Sequence, residues 1–503
     1  MDPVVTTTAG KVRGQPDDGA LAFLGVPFAA PPFGEHRLRA PAPPVPWDGV
    51  RDALAYGPTS QQPADEIAGG IPEPCIPGED ILTANVFTPD LGAAGLPVLV
   101  WIHGGGFFAG SPASPWYRGT RFARDGVIVV SVGYRLGAEG FLALDGAPAN
   151  RAVLDWLAAL GWVHDNIAAF GGDPGNVTIG GQSAGAVACT TLLALTGSGS
   201  GSGTGSRSGS GGVADGLFHR VISMSGVARA VPPSEAEATT AAIAAHLGLP
   251  TPLTRDAVAA RPFADLHDAQ MALRAGAGAS FSLTEERREA MGQMPFAPVI
   301  DGDLIATKPL KAIAAGAGAG IDLLAGATHD ETSFGVAATA PGLDEGGLQL
   351  ALAGFGFPAE AYRALHADRT PPQVLGQAIT DRIFRSRVVS LAEARAAGGA
   401  DRDFLYDFRW PSPLVDGQLG APHCIDIPFA FDVLDAEDVG TLAGDDPPQP
   451  LADLVHGAWV GFVTDGDPGW PAHDLERRST MLFDVESGPS DDPLKAEREL
   501  WAR

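Results

Sequence analysis

Two continuous apolar runs constrain the fold of this chain more than any other feature. Residues 96–102 have the sequence Leu-Pro-Val-Leu-Val-Trp-Ile, and residues 127–132 repeat the pattern with Val-Ile-Val-Val-Ser-Val. Short β-prone runs without polar alternation are typical of strands buried on both faces of a parallel sheet. Further strand candidates lie at residues 176–179, 220–222, 323–325 and 404–408, and helical stretches at 151–162, 184–195 and 234–247. This alternation predicts an α/β protein with a mostly parallel central sheet flanked by helices.

Composition limits the functions that such a fold can have. The chain has 503 residues and is 45% hydrophobic, enough for a large core. Its formal net charge of −27 argues against nucleic acid or an anionic membrane as a partner. No apolar run approaches the roughly 18 residues that a bilayer span requires. The first residues lack the basic and apolar regions of a signal peptide, so we predict a cytoplasmic protein.

The cysteines are too few and too scattered for a structural framework. They are Cys75, Cys189 and Cys424, an odd set without zinc-ligand spacing. We therefore expect no disulfide network, no metal and no cofactor.

One segment differs in composition from the rest of the chain. Residues 196–212 are almost entirely Gly, Ser and Thr, with the single charge of Arg207. Such a segment cannot bury apolar area to offset the entropy of ordering. Because the motifs before and after it belong to one site, we predict a flexible surface loop within a single domain that spans residues 1–503.

Residues 181–185 have the sequence Gly-Gln-Ser-Ala-Gly, which fits the G-x-S-x-G pattern. A strand-like Val-Thr-Ile at 177–179 precedes it and a helical stretch follows. A sharp strand-to-helix turn of this kind exposes the serine hydroxyl at the end of a sheet. In a chain rich in Gly and Ser the pentapeptide alone is weak evidence, and an ordinary turn is the alternative. Its context favours Ser183 as a nucleophile.

A glycine run follows the first apolar strand. Residues 103–107 are His-Gly-Gly-Gly-Phe. Acyl transfer develops negative charge on oxygen, and backbone N–H groups can stabilise it where no side chain blocks their approach. We assign these donors to Gly105, Gly106 and Ala184. A phosphate-binding loop is the alternative, but it requires a Lys-Ser/Thr sequel that is missing here.

A serine nucleophile needs a histidine base and an acid that orients it. In hydrolases with this motif the acid and then the histidine follow the serine along the chain. Asp330 and Glu331 are both candidates for the acid, since they follow the strand at 323–325. Eight histidines follow Ser183, and His423 is favoured because it lies in a loop after the strand at 404–408. The residues alone do not decide either choice.

The chain resembles the type-B carboxylesterases, a family that includes bacterial para-nitrobenzyl esterases and the cholinesterases. The likeness extends over nearly the whole chain, and residues 170–185 are its most specific part. The matching stretches are residues 22–29, 31–32, 79–80, 85–86, 103–107, 134–137, 170–178, 298–302, 330–331, 420–429 and 466–468. The resemblance implies an α/β-hydrolase fold with helical insertions around an active-site gorge.

The resemblance also implies site roles. It matches Glu331 to the family acid and His423 to the base, giving a triad with Ser183. It places a supporting serine at Ser225. Candidates for the substrate pocket wall are the three phenylalanines Phe107, Phe108 and Phe334, and core packing is the alternative for each.

Two structural ion pairs carry over from the family as Arg37 with Glu79 and Arg135 with Asp173. The chain departs from the family at Gln182, where a glutamate is usual.

The loss of that negative charge should slightly lower the pKa of His423 relative to the family. Gly133 stands where the family often has Asn. Ile81 replaces a family cysteine, so Cys75 lacks its usual disulfide partner.

These observations predict a serine carboxylesterase that acts on a small-molecule ester of short to medium acyl or aryl type and needs no cofactor. Family resemblance further favours a monomer. An amidase, a thioesterase or an acyltransferase on the same triad is the nearest alternative. A non-catalytic adhesion protein is a more distant one, because family members of that kind have lost the serine.

Overall fold

The structure is a computed structural model that describes residues 2–61, 70–197, 211–277 and 296–501. Its strands are β1 Val4–Thr6, β2 Lys11–Arg13, β3 Gln15–Asp17, β4 Ala20–Pro27, β5 Val50–Asp52, β6 Thr83–Thr88, β7 Leu96–Ile102, β8 Ile128–Val132, β9 Gly172–Gln182, β10 Arg220–Met224, β11 Asp322–Thr328, β12 Asp403–Phe408, β13 Ser479–Phe483 and β14 Gly488–Asp491.

The described helices are α1 Thr120–Arg124, α2 Gly137–Phe141, α3 Arg151–Asn166, α4 Ala184–Ala194, α5 Pro233–Leu247, α6 Arg255–Ala259, α7 Phe263–Ala277, α8 Pro309–Ala314, α9 Ser333–Thr339, α10 Glu345–Gly354, α11 Ala359–Leu365, α12 Pro371–Thr380, α13 Ser386–Ala397, α14 Asp426–Ala430, α15 Gly440–Ala443, α16 Gln449–Asp465 and α17 Lys495–Trp501. A π-helix at Asp381–Arg385 separates α12 from α13, and short 3-10 turns lie at Gly34–His36, Pro115–Tyr117, Ile167–Phe170 and Leu414–Gly417.

Eleven strands form one sheet, in the order β14-β13-β12-β11-β10-β9-β7-β8-β6-β4-β3. The seven strands from β13 to β8 are parallel to their neighbours, and antiparallel pairs close both edges. This agrees with the predicted mostly parallel sheet. The strand predicted at 176–179 is longer, because β7 and β10 pair with β9 as far as Gly181 and Gln182. A small sheet of β1, β2 and β5 lies apart.

The sheet separates two apolar clusters. Along β7, Val98, Val100 and Ile102 join one cluster, and the alternate residues Leu99 and Trp101 join the other. Both faces of the strand are therefore buried, which explains why its sequence lacks polar alternation. A third, smaller cluster lies among α10, α11, α12 and α17.

The two ion pairs predicted from the family resemblance are wrong. Arg37 pairs with Glu139 at 2.6 Å. Arg135 pairs with Asp155 at 2.6 Å, and both side chains are buried.

The predicted partners lie elsewhere. Glu79 is exposed, and the Asp173 carboxylate accepts a local hydrogen bond from Gly175 N–H. A buried guanidinium needs a carboxylate that is buried with it, because an unpaired buried charge is costly. Glu139 and Asp155 satisfy this condition through helices α2 and α3, whose contacts the sequence did not reveal.

Most of the predicted Gly/Ser loop, residues 198–210, lies outside the described residues. Its two ends meet on Asp215, whose carboxylate accepts hydrogen bonds from Gly197 N–H and Gly212 N–H at 2.7 Å each. Flexibility of the loop stays a prediction.

The three cysteines are all free. Among the residues that the structure describes, no helix is long and apolar enough to cross a membrane. The same described ranges hold no group of three or more His, Cys, Asp or Glu side chains that could bind a metal ion.

Candidate active site

The predicted site residues follow the carboxyl ends of neighbouring parallel strands. In the sheet register, Ile102 of β7 pairs with Gly181 of β9, and Gln182 pairs with Met224 of β10. Strand β11 continues this edge to Thr328. Because the strands are parallel, the loops that follow them meet at one edge of the sheet, where ligand sites concentrate in open α/β sheets.

Ser183 occupies a sharp turn between β9 and α4. Its backbone is strained, with φ 55° and ψ −119°, a conformation that non-glycine residues rarely adopt. The turn brings Gly185 so close to β7 that a Cβ added there would lie 2.0 Å from Ile102 O. Ser183 itself is half-buried. This geometry agrees with the strand–turn–helix prediction.

The glycine run after β7 packs against this turn. A Cβ on Gly104 would lie 3.5 Å from Ser183 Cβ. Gly105 has φ 95°, and a Cβ there would meet Ala109 O at 2.1 Å. The amide of Ala184 belongs to the first turn of α4, where N–H groups have no intrahelical acceptor. The structure thus brings Gly104 and the Ala184 amide beside Ser183, and the donor roles of Gly105, Gly106 and Ala184 stay a prediction.

The segment after β8 supports the glycine run from behind. Tyr134 donates a hydrogen bond from its hydroxyl to His103 O at 2.9 Å, and its ring stacks on the His103 imidazole. Gly137 N–H donates to Phe107 O at 2.6 Å. Arg135 lies between Tyr134 and Gly137 in sequence, and its buried ion pair with Asp155 therefore holds this segment against α3.

Glu331 and His423 meet although they lie 92 positions apart. The His423 Nδ1 contacts Glu331 Oε2 in a short hydrogen bond. Glu331 Oε1 accepts a second hydrogen bond from Thr328 N–H at 2.9 Å. The backbones also pair, since His423 N–H donates to Glu331 O at 2.9 Å. Two donors therefore hold the carboxylate, and the loops after β11 and β12 are joined at the site.

Asp330, the alternative acid, has a different task. Its carboxylate accepts hydrogen bonds from Ala421 N–H at 3.0 Å and from Arg369 Nη2 at 3.3 Å. It therefore organises the backbone of the loop before His423 and does not contact the imidazole.

The second nitrogen of His423 lies beside Gln182. Gln182 Nε2 lies 3.2 Å from His423 Nε2 and 3.5 Å from His423 Nδ1. Among the described residues, His423 makes no hydrogen bond to the Ser183 hydroxyl. With Nδ1–H donated to Glu331, Nε2 is an acceptor, and the Gln182 amide can donate to it. Catalytic hydrogen bonds often tighten only when substrate is bound.

The surroundings of His423 act on its pKa in opposite directions. Burial lowers the pKa, but the contacts with Cys424 and with the Glu331 carboxylate raise it well above its ordinary value. Burial also raises the pKa of Cys424, so the thiol keeps its proton at neutral pH. We therefore attribute the raised pKa of His423 to Glu331.

The remaining predicted residues have mixed outcomes. Ser225 is buried, and its hydroxyl makes no hydrogen bond, so the structure does not join it to Glu331. Phe107 is fully buried and packs against Phe141 and Trp156, which favours core packing, and its place in a pocket wall stays a prediction. Phe108 and Phe334 are half-buried, and their place in a pocket wall stays a prediction.

Two residues near the base were not found from the sequence. Phe384 packs its ring on His423 with centroids 5.0 Å apart. Asp426 is buried, accepts a hydrogen bond from the Tyr406 hydroxyl at 2.9 Å, and has a pKa raised to about 7 by burial and by Glu331. Asp426 lies three residues after His423, a local signal that was available, whereas Phe384 belongs to no motif.

Comparison with known proteins gives the family to which the chain belongs. The model of the carboxylesterase family matches residues 1–349, and the chain belongs to this family. The para-nitrobenzyl esterase of Bacillus subtilis (strain 168) is 35% identical over 99% of this chain and 98% of its own length. The phenmedipham hydrolase of Pseudarthrobacter oxydans is 36% identical over 96% of this chain and 95% of its own.

Solved structures give the same result. The carboxylesterase Est55 of Geobacillus stearothermophilus has a TM-score of 0.82 at 34% identity, and a PNB esterase has a TM-score of 0.84 at 33% identity. Each comparison covers 99% of both chains. The fold is therefore the α/β-hydrolase fold, and the protein is a carboxylic ester hydrolase that acts on small-molecule esters.

Proposed function

We propose that the protein hydrolyses short to medium acyl or aryl esters through a Ser183–His423–Glu331 triad and an acyl-enzyme intermediate. The observation that carries the proposal is the convergence of the Glu331–His423 pair with the strained Ser183 turn at one edge of the sheet. A serine hydroxyl is a weak nucleophile, and an adjacent imidazole that an acid orients is the usual means of activating it.

In the proposed reaction, His423 Nε2 accepts the Ser183 proton as Oγ attacks the ester carbonyl. The backbone N–H groups of Gly105, Gly106 and Ala184 stabilise the oxyanion. His423 then protonates the departing alcohol, and a water molecule repeats the sequence on the acyl-enzyme. Glu331 keeps Nδ1 protonated and stabilises the imidazolium.

Two observations bear on which esters the protein hydrolyses. The relatives named above include a para-nitrobenzyl esterase, which favours esters whose alcohol carries an aromatic ring. The net charge of −27 disfavours anionic substrates and is compatible with neutral or cationic ones. We further propose that residues 1–503 form one domain, since the eleven-stranded sheet uses strands from β3 to β14. The proposal that the protein is a monomer rests on the family resemblance.

The test measures hydrolysis of p-nitrophenyl esters from acetate to octanoate by the wild-type protein, Ser183→Ala and Ser390→Ala. Ser390 lies on α13 and donates only to a carbonyl of its own helix, so it is the matched control. We expect Ser183→Ala to lose about 10⁴-fold or more in kcat and Ser390→Ala to retain wild-type activity.

Wild-type activity in Ser183→Ala would overturn the triad. Matched thioester and amide substrates complete the series, because faster turnover of either than of the ester would favour the thioesterase or amidase alternative.

A further inference from the structure

The helix that approaches His423 contains an irregular turn. Helices α12 and α13 are joined by the π-helix Asp381–Arg385. A π-turn inserts one extra residue and changes which side chains face a neighbour, and such turns often lie at functional sites. Asp381 and Arg385 pair across the turn at 2.6 Å, and both side chains are buried. A buried ion pair therefore joins the first and last residues of the π-turn.

The same turn is tied to the acid loop. Asp381 accepts hydrogen bonds from the Tyr362 hydroxyl at 2.6 Å and from Gln377 Nε2 at 3.2 Å. Gln377 Nε2 also donates to His329 O at 3.2 Å, two residues before Glu331. Hydrogen bonds therefore join the π-turn to the backbone of the loop that carries Glu331.

Between its two ends the π-turn presents Phe384 to the imidazole. The ring of Phe384 lies 5.0 Å from that of His423, centroid to centroid, with an angle of 44° between the planes. Glu331 contacts this imidazole at Nδ1, and Gln182 Nε2 lies 3.2 Å from its Nε2 and 3.5 Å from its Nδ1. Phe384 supplies the aromatic packing contact of the imidazole, and a side chain packed against the imidazole resists rotation of that ring about its Cβ–Cγ bond.

We propose that Phe384 is a positioning residue for His423, and that the π-turn places its ring so that the imidazole keeps Nδ1 on Glu331 while Nε2 stays directed at the Ser183 turn. This inference rests on the proposed function of the triad. Phe384 acts through His423 and takes no part in bond making, so its removal lowers the rate of the chemical step more than it weakens binding of a small ester.

The experiment uses the full-length chain with Phe384→Leu, which keeps an apolar side chain of similar bulk, and Phe384→Tyr, which keeps the ring. Phe33→Leu is the control, because Phe33 is also half-buried against the core and makes no ring contact with His423 in the described residues. The substrate is p-nitrophenyl acetate, whose small acyl group limits contact with a pocket wall. The low-field proton resonance of His423 Nδ1–H is recorded for each variant.

We expect Phe384→Leu to lower kcat about tenfold with KM within about twofold of wild type, and to broaden the Nδ1–H resonance. Phe384→Tyr and Phe33→Leu should retain both properties. A rise in KM with unchanged kcat would overturn the inference and make Phe384 a wall of the substrate pocket. An unbroadened resonance in Phe384→Leu would overturn it as well.

Ser183→Ala and His423→Ala are measured in the same series. Wild-type activity in either variant means that the proposed function has failed. If both are inactive and Phe384→Leu behaves as wild type, only the inference about Phe384 has failed.

Discussion

The two halves of the candidate site are built in different ways. The nucleophile half comprises residues 103–110, which directly follow β7, and residues 181–185, which span the end of β9 and the start of α4. The acid–base half comprises residues 328–331 and 420–424. Helices α9 to α13 and strand β12 lie between these two stretches along the chain, and His423 contacts Glu331 after them. Local sequence shapes the first half, whereas contacts between distant residues shape the second.

This difference teaches where substitutions act. In the nucleophile half the backbone is the functional element, so added Cβ atoms are damaging. In the acid–base half the functional element is a set of side-chain hydrogen bonds, so changes of charge or of donor and acceptor are damaging. The following predictions test that division, from the largest expected effect to the smallest.

Glu331→Gln should be the most damaging change in the acid–base half. Both partners of the carboxylate, Thr328 N–H and His423 Nδ1–H, are donors, so an amide NH₂ must face one of them. We expect kcat to fall by about 10³–10⁴-fold, because the imidazole loses its partner and its tautomer. Asp330→Asn is the control and should cost less than about tenfold. If the two variants lost activity equally, Glu331 would no longer be favoured over Asp330 as the acid.

Asp155→Asn tests the support behind the nucleophile half. Asp155 accepts hydrogen bonds from Arg135 Nε at 2.8 Å and Nη2 at 2.6 Å, and both side chains are buried. Weakening this pair should lower the free energy of unfolding by about 3–5 kcal/mol, measured by urea denaturation. Asp173→Asn, the partner expected from the family, should cost less than about 1 kcal/mol. A larger loss of unfolding free energy in Asp173→Asn than in Asp155→Asn would support the pairing expected from the family.

Gly105→Ala tests the backbone of the glycine run. At φ 95° its Cβ would lie 2.1 Å from Ala109 O, so the loop must move. If Gly105 N–H is an oxyanion donor as proposed, its displacement should lower kcat about 10²–10³-fold. Gly126→Ala has a similar φ of 85° but nothing within 4 Å of its Cβ, so it reproduces the strain without the displacement. Comparable losses in both variants would show that strain alone explains the effect.

Gln182→Glu joins the two halves, because this residue of the Ser183 turn contacts His423 Nε2. A carboxylate at 3.2 Å favours imidazolium and raises the pKa of His423 further. The base must be neutral to accept a proton, so activity is lost as pH falls through this pKa. The acid limb of the kcat/KM profile should move to higher pH by about 0.5–1 unit. Gln349→Glu on α10 makes the same charge change outside the site. An equal shift of the acid limb in that variant would mean that the change in net charge explains the effect.

Ser225→Ala should have the smallest effect. The family places a serine that supports the acid here, but the Ser225 hydroxyl is buried without a hydrogen-bond partner. Removing it should change kcat/KM by less than about threefold. A loss as large as that of Glu331→Gln would mean that Ser225 does hold the acid.

Much of the nucleophile half could be predicted from sequence. Buried strands lack polar alternation, and the turn that exposes Ser183 needs small residues on both sides, so pattern and function coincide within a few residues. The acid–base half could not be predicted from the residues alone, since Asp330 and Glu331 occupy equivalent positions after β11. Only the path of the loop before His423 decides which carboxylate meets the imidazole.

The two ion pairs show the same limit. Arg37 and Arg135 could be recognised as residues that need buried partners, but helices α2 and α3 supply those partners, and the family pattern pointed to others. Phe384 carries no sequence signal, because a π-turn depends on what anchors its ends.

The sequence by itself determined the parallel sheet, the Ser183 turn and the glycine run, because each follows from the conformational preferences of adjacent residues. The tertiary structure decided which acid contacts His423, which carboxylates pair with the buried arginines and which aromatic ring packs against the imidazole. Those choices are made by residues brought together only when the chain closes around the sheet, and neither propensity nor spacing along the chain encodes that proximity.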